Sequence, residues 1–243
     1  MRTSFALFGA GVMALGFLLP AAVGHARAAS ATDLADSALR ECELGQMAPA
    51  RDQRVAHFER GQALGEEAVT LDAQSAAAHF AVFCNLGEML RIDGEKITSL
   101  FGFRKMMREL DRTLELDPNH LDALSSKGVL LVRLPTLLGG DAAKGEDILE
   151  RVLREDPSCI SARLTLAEIY AARGSRADAV ALASQARELA KASGRADKIA
   201  KAEAALAKLK ADPAEIDASL AIRSCPGQPG KSCPPDLAAI RPN

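Results

Sequence analysis

No tryptophan and a single tyrosine occur among the 243 residues, and aromatics make up 4% of the chain. Sheets fill their pleated faces with aromatic and β-branched residues, so this shortage argues against them. Charge of one sign is missing as well. The 30 Lys and Arg stand against 32 Asp and Glu, a formal net charge of −2. That balance excludes the basic footprint of a nucleic-acid binder and the acidic bias of a disordered tail. Motifs that carry chemistry are absent too: there is no His-Glu-x-x-His, Gly-x-Ser-x-Gly, Cys/His zinc spacing or Cys-x-x-Cys. The phrase Gly227-Gln228-Pro229-Gly230-Lys231-Ser232 imitates a phosphate loop, but Cys225 stands where the motif needs glycine and Pro234-Pro235 forbid the helix that must follow. His57, His79 and His120 read as isolated helix residues, and Glu66-Glu67 as a solvated face. No catalytic residue, metal or cofactor is expected, and the chain reads as a non-enzyme.

What is present favours helices. Hydrophobic residues reach 48%, with alanine abundant beside Leu, Glu, Lys and Arg. Residues 1–28 have the pattern of a secretory signal peptide: Arg2, then an uncharged apolar run from Phe5 to Val23, then Ala26-Arg27-Ala28 before the cut. A retained membrane anchor is the alternative for this run. Cleavage implies an exported protein, with the bacterial periplasm as first expectation and no membrane contact afterwards. Export makes disulfides possible for the five cysteines, and the odd number leaves at least one thiol over. Cys225 and Cys233 flank a Pro/Gly-rich loop and are the easiest pair to close. Cys42 and Cys84 fall on two neighbouring predicted helices and could also bridge. Cys159 is expected as a buried thiol on an apolar helical face.

The middle of the chain repeats itself. Leu71-Asp72-Ala73, Leu116-Asp117-Pro118 and Glu155-Asp156-Pro157 each close an amphipathic stretch and precede another. After Pro118 come Leu124, Gly128 and Leu131, then Gly145, Leu149, Val152 and Pro157. The next unit offers Leu166, Ala167, Tyr170, Gly174, Ala179 and Ala186. Before them, Gly61 and Ala68 occupy the small positions of a second helix. This pattern resembles the tetratricopeptide repeat (TPR) family, in which helical hairpins of roughly 34 residues stack. A looser similarity is to exported TPR subunits associated with TRAP transporters. The resemblance implies an all-α, right-handed TPR-like solenoid of about four hairpins over residues 31–192. Capping helices are expected over 193–222 and a Pro-rich irregular tail over 223–243. The stretch from Asp72 to Asp117 exceeds one repeat, so an insertion is expected near Asp93 to Phe103, where Gly94 and Gly102 break the pattern. Pro118 and Pro157 are expected to open the helices that follow them, and Asp141 to cap another.

The family lines its concave groove with the first helix of each hairpin. The matching positions are Ala77, Phe80, Cys84 and Glu88, then Asp122, Ser125, Val129 and Arg133, then Ser161, Leu164, Glu168 and Ala172. Of these, Phe80, Val129 and Leu164 are expected as apolar anchors, with Glu88, Arg133 and Glu168 as polar ones. The Lys and Asn set that grips a partner's C-terminal carboxylate is missing. The segment Pro135-Thr136-Leu137-Leu138-Gly139-Gly140 is extra to a helix pair, and its two leucines are expected to pack into the protein's own groove or, failing that, on a partner. The resulting expectation is a scaffold for a protein partner. A groove holding a small apolar molecule for a transport system, or an assembly factor for a secreted enzyme, are the alternatives.

Overall fold

The structure is a computed structural model that describes residues 29–93 and 99–211, all of whose regular elements are helical. The expected signal peptide, the Cys225–Cys233 pair, the phosphate-loop phrase and the Pro-rich tail lie outside the described residues. The helices are α1 (Ala31–Met47), α2 (Arg51–Leu71), α3 (Ala76–Asp93), α4 (Ser99–Leu116), α5 (Leu121–Arg133), α6 (Ala142–Glu155), α7 (Ile160–Ala172), α8 (Arg176–Ala192) and α9 (Ala196–Lys210). A 3-10 turn, Thr136–Leu138, separates α5 from α6.

Local sequence explains where the helices stop and start. Asp72, Asp117 and Asp156 each end a helix, their N–H groups bonded back to Ala68, Thr113 and Val152. Each Oδ1 then accepts the backbone N–H two residues on, at 2.9–3.0 Å, from Gln74, Asn119 and Ser158. A short carboxylate that bonds its own backbone ahead favours a turn over a further helical turn. The recurring phrase is therefore one turn built three times. Pro118 and Pro157 sit inside it, three residues before α5 and α7 begin, and not in the first turn of those helices as expected. Ser30 and Asp33 form a reciprocal capping box on α1. Asp141 caps α6 by accepting from Lys144 N–H at 3.0 Å.

Consecutive helices pack as antiparallel hairpins, α1/α2, α3/α4, α5/α6 and α7/α8, with α9 on α8 as the end helix. This is the TPR-like α-solenoid of four hairpins and a capping helix. Small residues set the approach distances. A Cβ on Gly128 would stand 2.7 Å from Leu149 Cγ, and one on Gly145 would stand 2.8 Å from the Gly128 carbonyl. Ala179, Ala183 and Ala186 are fully buried. Leu149 and Val152 fill the space between α5, α6 and α7, and the half-buried Tyr170 packs beside Ala167. In the first two hairpins Asn85 donates to the carbonyls of Ala38 and Ala81, both at 2.9 Å, which ties α3 to α1. Its Oδ1 has no hydrogen-bond partner and lies against Gly61, where a Cβ would sit 2.1 Å away.

The extra length of the second unit goes largely into helix. α3 and α4 run 18 residues each, against 13 and 14 for α5 and α6. Gly102 does not break the pattern. It lies within α4, and a Cβ there would meet Leu90 at 2.8 Å, so it allows α4 close to α3.

One contact departs from simple stacking, in which each repeat touches only its neighbours. The chain curls until α9 meets α1. Arg195 donates to Gln46 Oε1 at 2.7 Å and lies 3.7 Å from Glu43, while Gln46 donates to Glu88 at 3.1 Å. Asp197 accepts twice from Arg195, at 2.9 and 3.2 Å. First and last helices are thereby clasped through side chains far apart in sequence.

Candidate functional site

The odd-numbered helices face a common space, which the clasp residues Glu43, Gln46 and Arg195 help to line. The central cavity has a volume of about 480 Å³. Leu39, Glu43 and Gln46 from α1 line it, followed by Phe80 and Cys84 from α3. Asp122, Ser125 and Ser126 from α5, Cys159 and Ser161 at the start of α7, and Arg195 and Lys198 at α9 complete it. The lining mixes hydroxyls and charges with Phe80, Leu39 and Leu189, so it offers both hydrogen bonds and apolar contact.

Electrostatics keep the clasp ionised. Burial pushes the Asp197 carboxyl up, but the hydrogen bonds and charge of Arg195, with Lys201 and Lys198 nearby, hold it below the ordinary aspartate value. Burial lowers the Lys201 ammonium, with the Glu88 charge opposing.

The expected groove residues separate into three groups. Phe80, Cys84, Asp122, Ser125 and Ser161 meet in the central cavity. Phe80 is buried, its ring 5.7 Å from Phe83 and 4.6 Å from His120, so only an edge reaches the cavity. Leu164, Glu168 and Ala172 line a second cavity of about 490 Å³ between α7 and the end of α9, with Ala167, Ala171, Arg176, Lys208 and Leu209. Glu88 belongs to the clasp, bonded to Gln46 and Arg91. Val129 is partly buried against the α5–α7 core. Arg133 and Glu168 pair with each other across α5 and α7 at 3.0 Å, both exposed.

The cysteines also find their places. Cys42 and Cys84 form a disulfide with a Cα–Cα distance of 6.2 Å, stapling α1 to α3. Cys159 does pack against the apolar cluster of α5, α6 and α7, but it is only partly buried. It is the N-cap residue of α7, with its thiol 3.3 Å from the Ser125 hydroxyl and facing the cavity. His57 pairs with Glu41 at 2.7 Å and His79 with Glu109 at 2.6 Å, each across a hairpin. Among the described residues no group of three or more His, Cys, Asp or Glu is placed to hold a metal, and no helix is long and apolar enough to cross a membrane.

The insertion Pro135-Thr136-Leu137-Leu138-Gly139-Gly140 does not fold into the groove. Leu137 is 95% exposed and Leu138 is 52% exposed. The turn is fixed from beneath: Gly139 adopts φ +87°, and a Cβ on Gly140 would fall 1.8 Å from the Leu134 carbonyl. Backbone bonds within the turn, from the N–H groups of Leu138 and Gly140 to Pro135 O and of Gly139 to Thr136 O, hold its shape. The leucines are left outside because nothing else in the fold reaches them.

Gln46, Arg195 and Cys159 were not legible as site residues. The first two matter only because α9 returns to α1, and no local pattern encodes that closure.

Residues 137–199, from the insertion turn to the start of α9, match the tetratricopeptide repeat family model. Similar solved structures include a thermophilic TPR protein of Thermus thermophilus, at 16% identity over 73% of this chain and 99% of that one, with a TM-score of 0.46. MamA from residue 41 to its end, from Desulfovibrio magneticus RS-1, shares 17% identity over 76% of this chain and 97% of its own, with a TM-score of 0.39. YrrB, a TPR protein with an unusual peptide-binding site, shares 20% identity over 56% of this chain and 79% of its own, with a TM-score of 0.30. Among curated proteins none matches.

Proposed function

We propose that the chain is an exported, non-catalytic scaffold that grips an extended segment of a partner protein in its central cavity. One observation carries the reading: five helices line a common half-open cavity of about 480 Å³, within the ~300–1,000 Å³ range of small-ligand sites. An extended peptide presents backbone donors and acceptors along its length and side chains between them. Ser125, Ser126, Ser161 and Asp122 supply hydrogen-bonding groups, while Leu39, Leu189 and the edge of Phe80 supply apolar contact. So polar a lining suits a peptide better than a small apolar molecule.

Export to the periplasm is supported by the apolar N-terminal pattern and by the Cys42–Cys84 disulfide, since such bonds persist in oxidising compartments. Partner capture by Ser126→Trp and Ser161→Trp, which fill the cavity, tests the reading against Arg154→Trp on the outer helix α6. Loss of capture in the first two alone is expected. Equal capture by all three would refute the cavity as the site.

A further inference from the structure

We propose that the insertion turn of one copy seats in the cavity between α7 and α9 of a second copy, and that two copies do this reciprocally. The turn is a rigid apolar knob. Leu137 is 95% exposed and Leu138 52% exposed, and Gly139 and Gly140 fix the backbone beneath them. A pair of exposed leucines already held in one conformation loses little freedom on docking. The cavity is its complement: a half-open space of about 490 Å³ walled by Leu164, Ala167, Ala171 and Leu209. Its small alanines leave room for leucine side chains, which the chain's own turn, with Leu137 outside, does not supply.

Knob and hole lie side by side on one edge of the solenoid. Arg133 ends α5 and pairs with Glu168 of α7 at 3.0 Å. Pro135 then opens the turn, and Glu168 lines the cavity. Two features on one edge can meet their counterparts in a second copy about a two-fold axis, so both contacts form at once and the assembly closes as a dimer. Charge favours the same docking. Arg176 and Lys208 stand on the rim, and among the described residues neither pairs with a carboxylate; Arg176 donates to the Ala211 carbonyl. Beside the knob, Asp141 is exposed, with one oxygen bonded to the Lys144 N–H. Docking brings this carboxylate toward the two cations of the other copy. So small a contact makes a weak dimer, not an obligate one. It uses none of the residues that line the central cavity, so it stands or falls apart from partner capture there.

A photo-crosslinking residue at position 137 of the full chain tests the pairing, with ordinary and heavy-isotope protein mixed in equal amounts. The expected products join 137 of one isotope to peptides within 164–176 or 205–209 of the other. Products confined to one copy, products elsewhere on the second copy, or no product would each overturn it. Sedimentation of unlabelled protein measures the strength. From roughly 1 µM to 1 mM, the range of weak contacts, the full chain should pass from monomer to dimer. Leu137→Asp/Leu138→Asp should raise the dissociation constant at least roughly tenfold; both side chains are exposed, so the fold stays intact. A parent chain that stays monomeric throughout, or a variant that pairs as tightly as the parent, would overturn the inference.

Discussion

Reducing the Cys42–Cys84 bond should weaken the N-terminal part of the solenoid by about 4 kcal/mol, working almost wholly through the unfolded chain. The bond spans 42 residues of sequence, and the loop-closure relation for that length gives ~13 cal/mol/K of entropy, or about 4 kcal/mol at 25 °C. The folded state has little reason to change on reduction. Leu34, Ala35, Ala68 and Ala78 pack α1, α2 and α3 together without help from sulfur, and Asn85 independently holds α3 to Ala38. The enclosed loop contains the end of α1, all of α2 and half of α3, so the loss should be local to the first two hairpins, as expected for stacked repeats. Urea unfolding followed by helical signal, on fully oxidised and fully reduced protein with Cys159 alkylated beforehand, measures the effect. With an m-value near ~2 kcal/mol/M, the first transition should fall by roughly 2 M on reduction. Coincident curves for protein shown by mass to be fully oxidised and fully reduced would refute the entropic argument.

Other perturbations separate packing, closure and loop. Gly128→Ala forces a Cβ to within 2.7 Å of Leu149 Cγ and 3.1 Å of the Gly145 carbonyl, and should cost about 1–3 kcal/mol of unfolding free energy. Arg195→Ala leaves the half-buried Asp197 without its partner and releases Gln46; a loss of about 1–3 kcal/mol and a larger radius of gyration in solution scattering are expected. Acid should open the same clasp. Because the folded carboxyl of Asp197 lies below its unfolded value of 3.8, its contribution is present above that pH and is lost as the pH falls through the lowered value. Scattering that stays constant from pH 6 down through that range would contradict this. Leu137→Ser with Leu138→Ser should leave stability within ~0.5 kcal/mol in the same urea assay, since neither side chain is buried.

Much of the architecture was legible because it is written locally. The aspartates at 72, 117 and 156 act on residues two and four positions away, so their phrases recur visibly. Gly128, Gly145, Ala179 and Ala186 reveal themselves by size at helical spacing. The prolines misled by a few residues, because Asp117 and Asp156 close a turn before the next helix can form. Gly102 read as a breaker because a small residue in an exposed window and one facing Leu90 look alike in sequence. The site was less legible. Phe80 and Cys84 reach the cavity and Leu164 a second one, while Arg133 and Glu168 pair with each other. Arg195 and Gln46 stand 149 residues apart and meet only through the curl of the whole solenoid, which no window of sequence contains. Leu137 and Leu138 look like groove-fillers until Gly139 and Gly140 are seen to lock them outward.

The central claim, that a partner occupies the cavity that five helices line, is tested most directly by hydrogen exchange of the full chain with and without its captured partner. Slowed exchange concentrated in 39–46, 122–126 and 158–161 is the predicted footprint. A footprint centred on Leu137 and Leu138, or on the outer helices α6 and α8, would contradict the account.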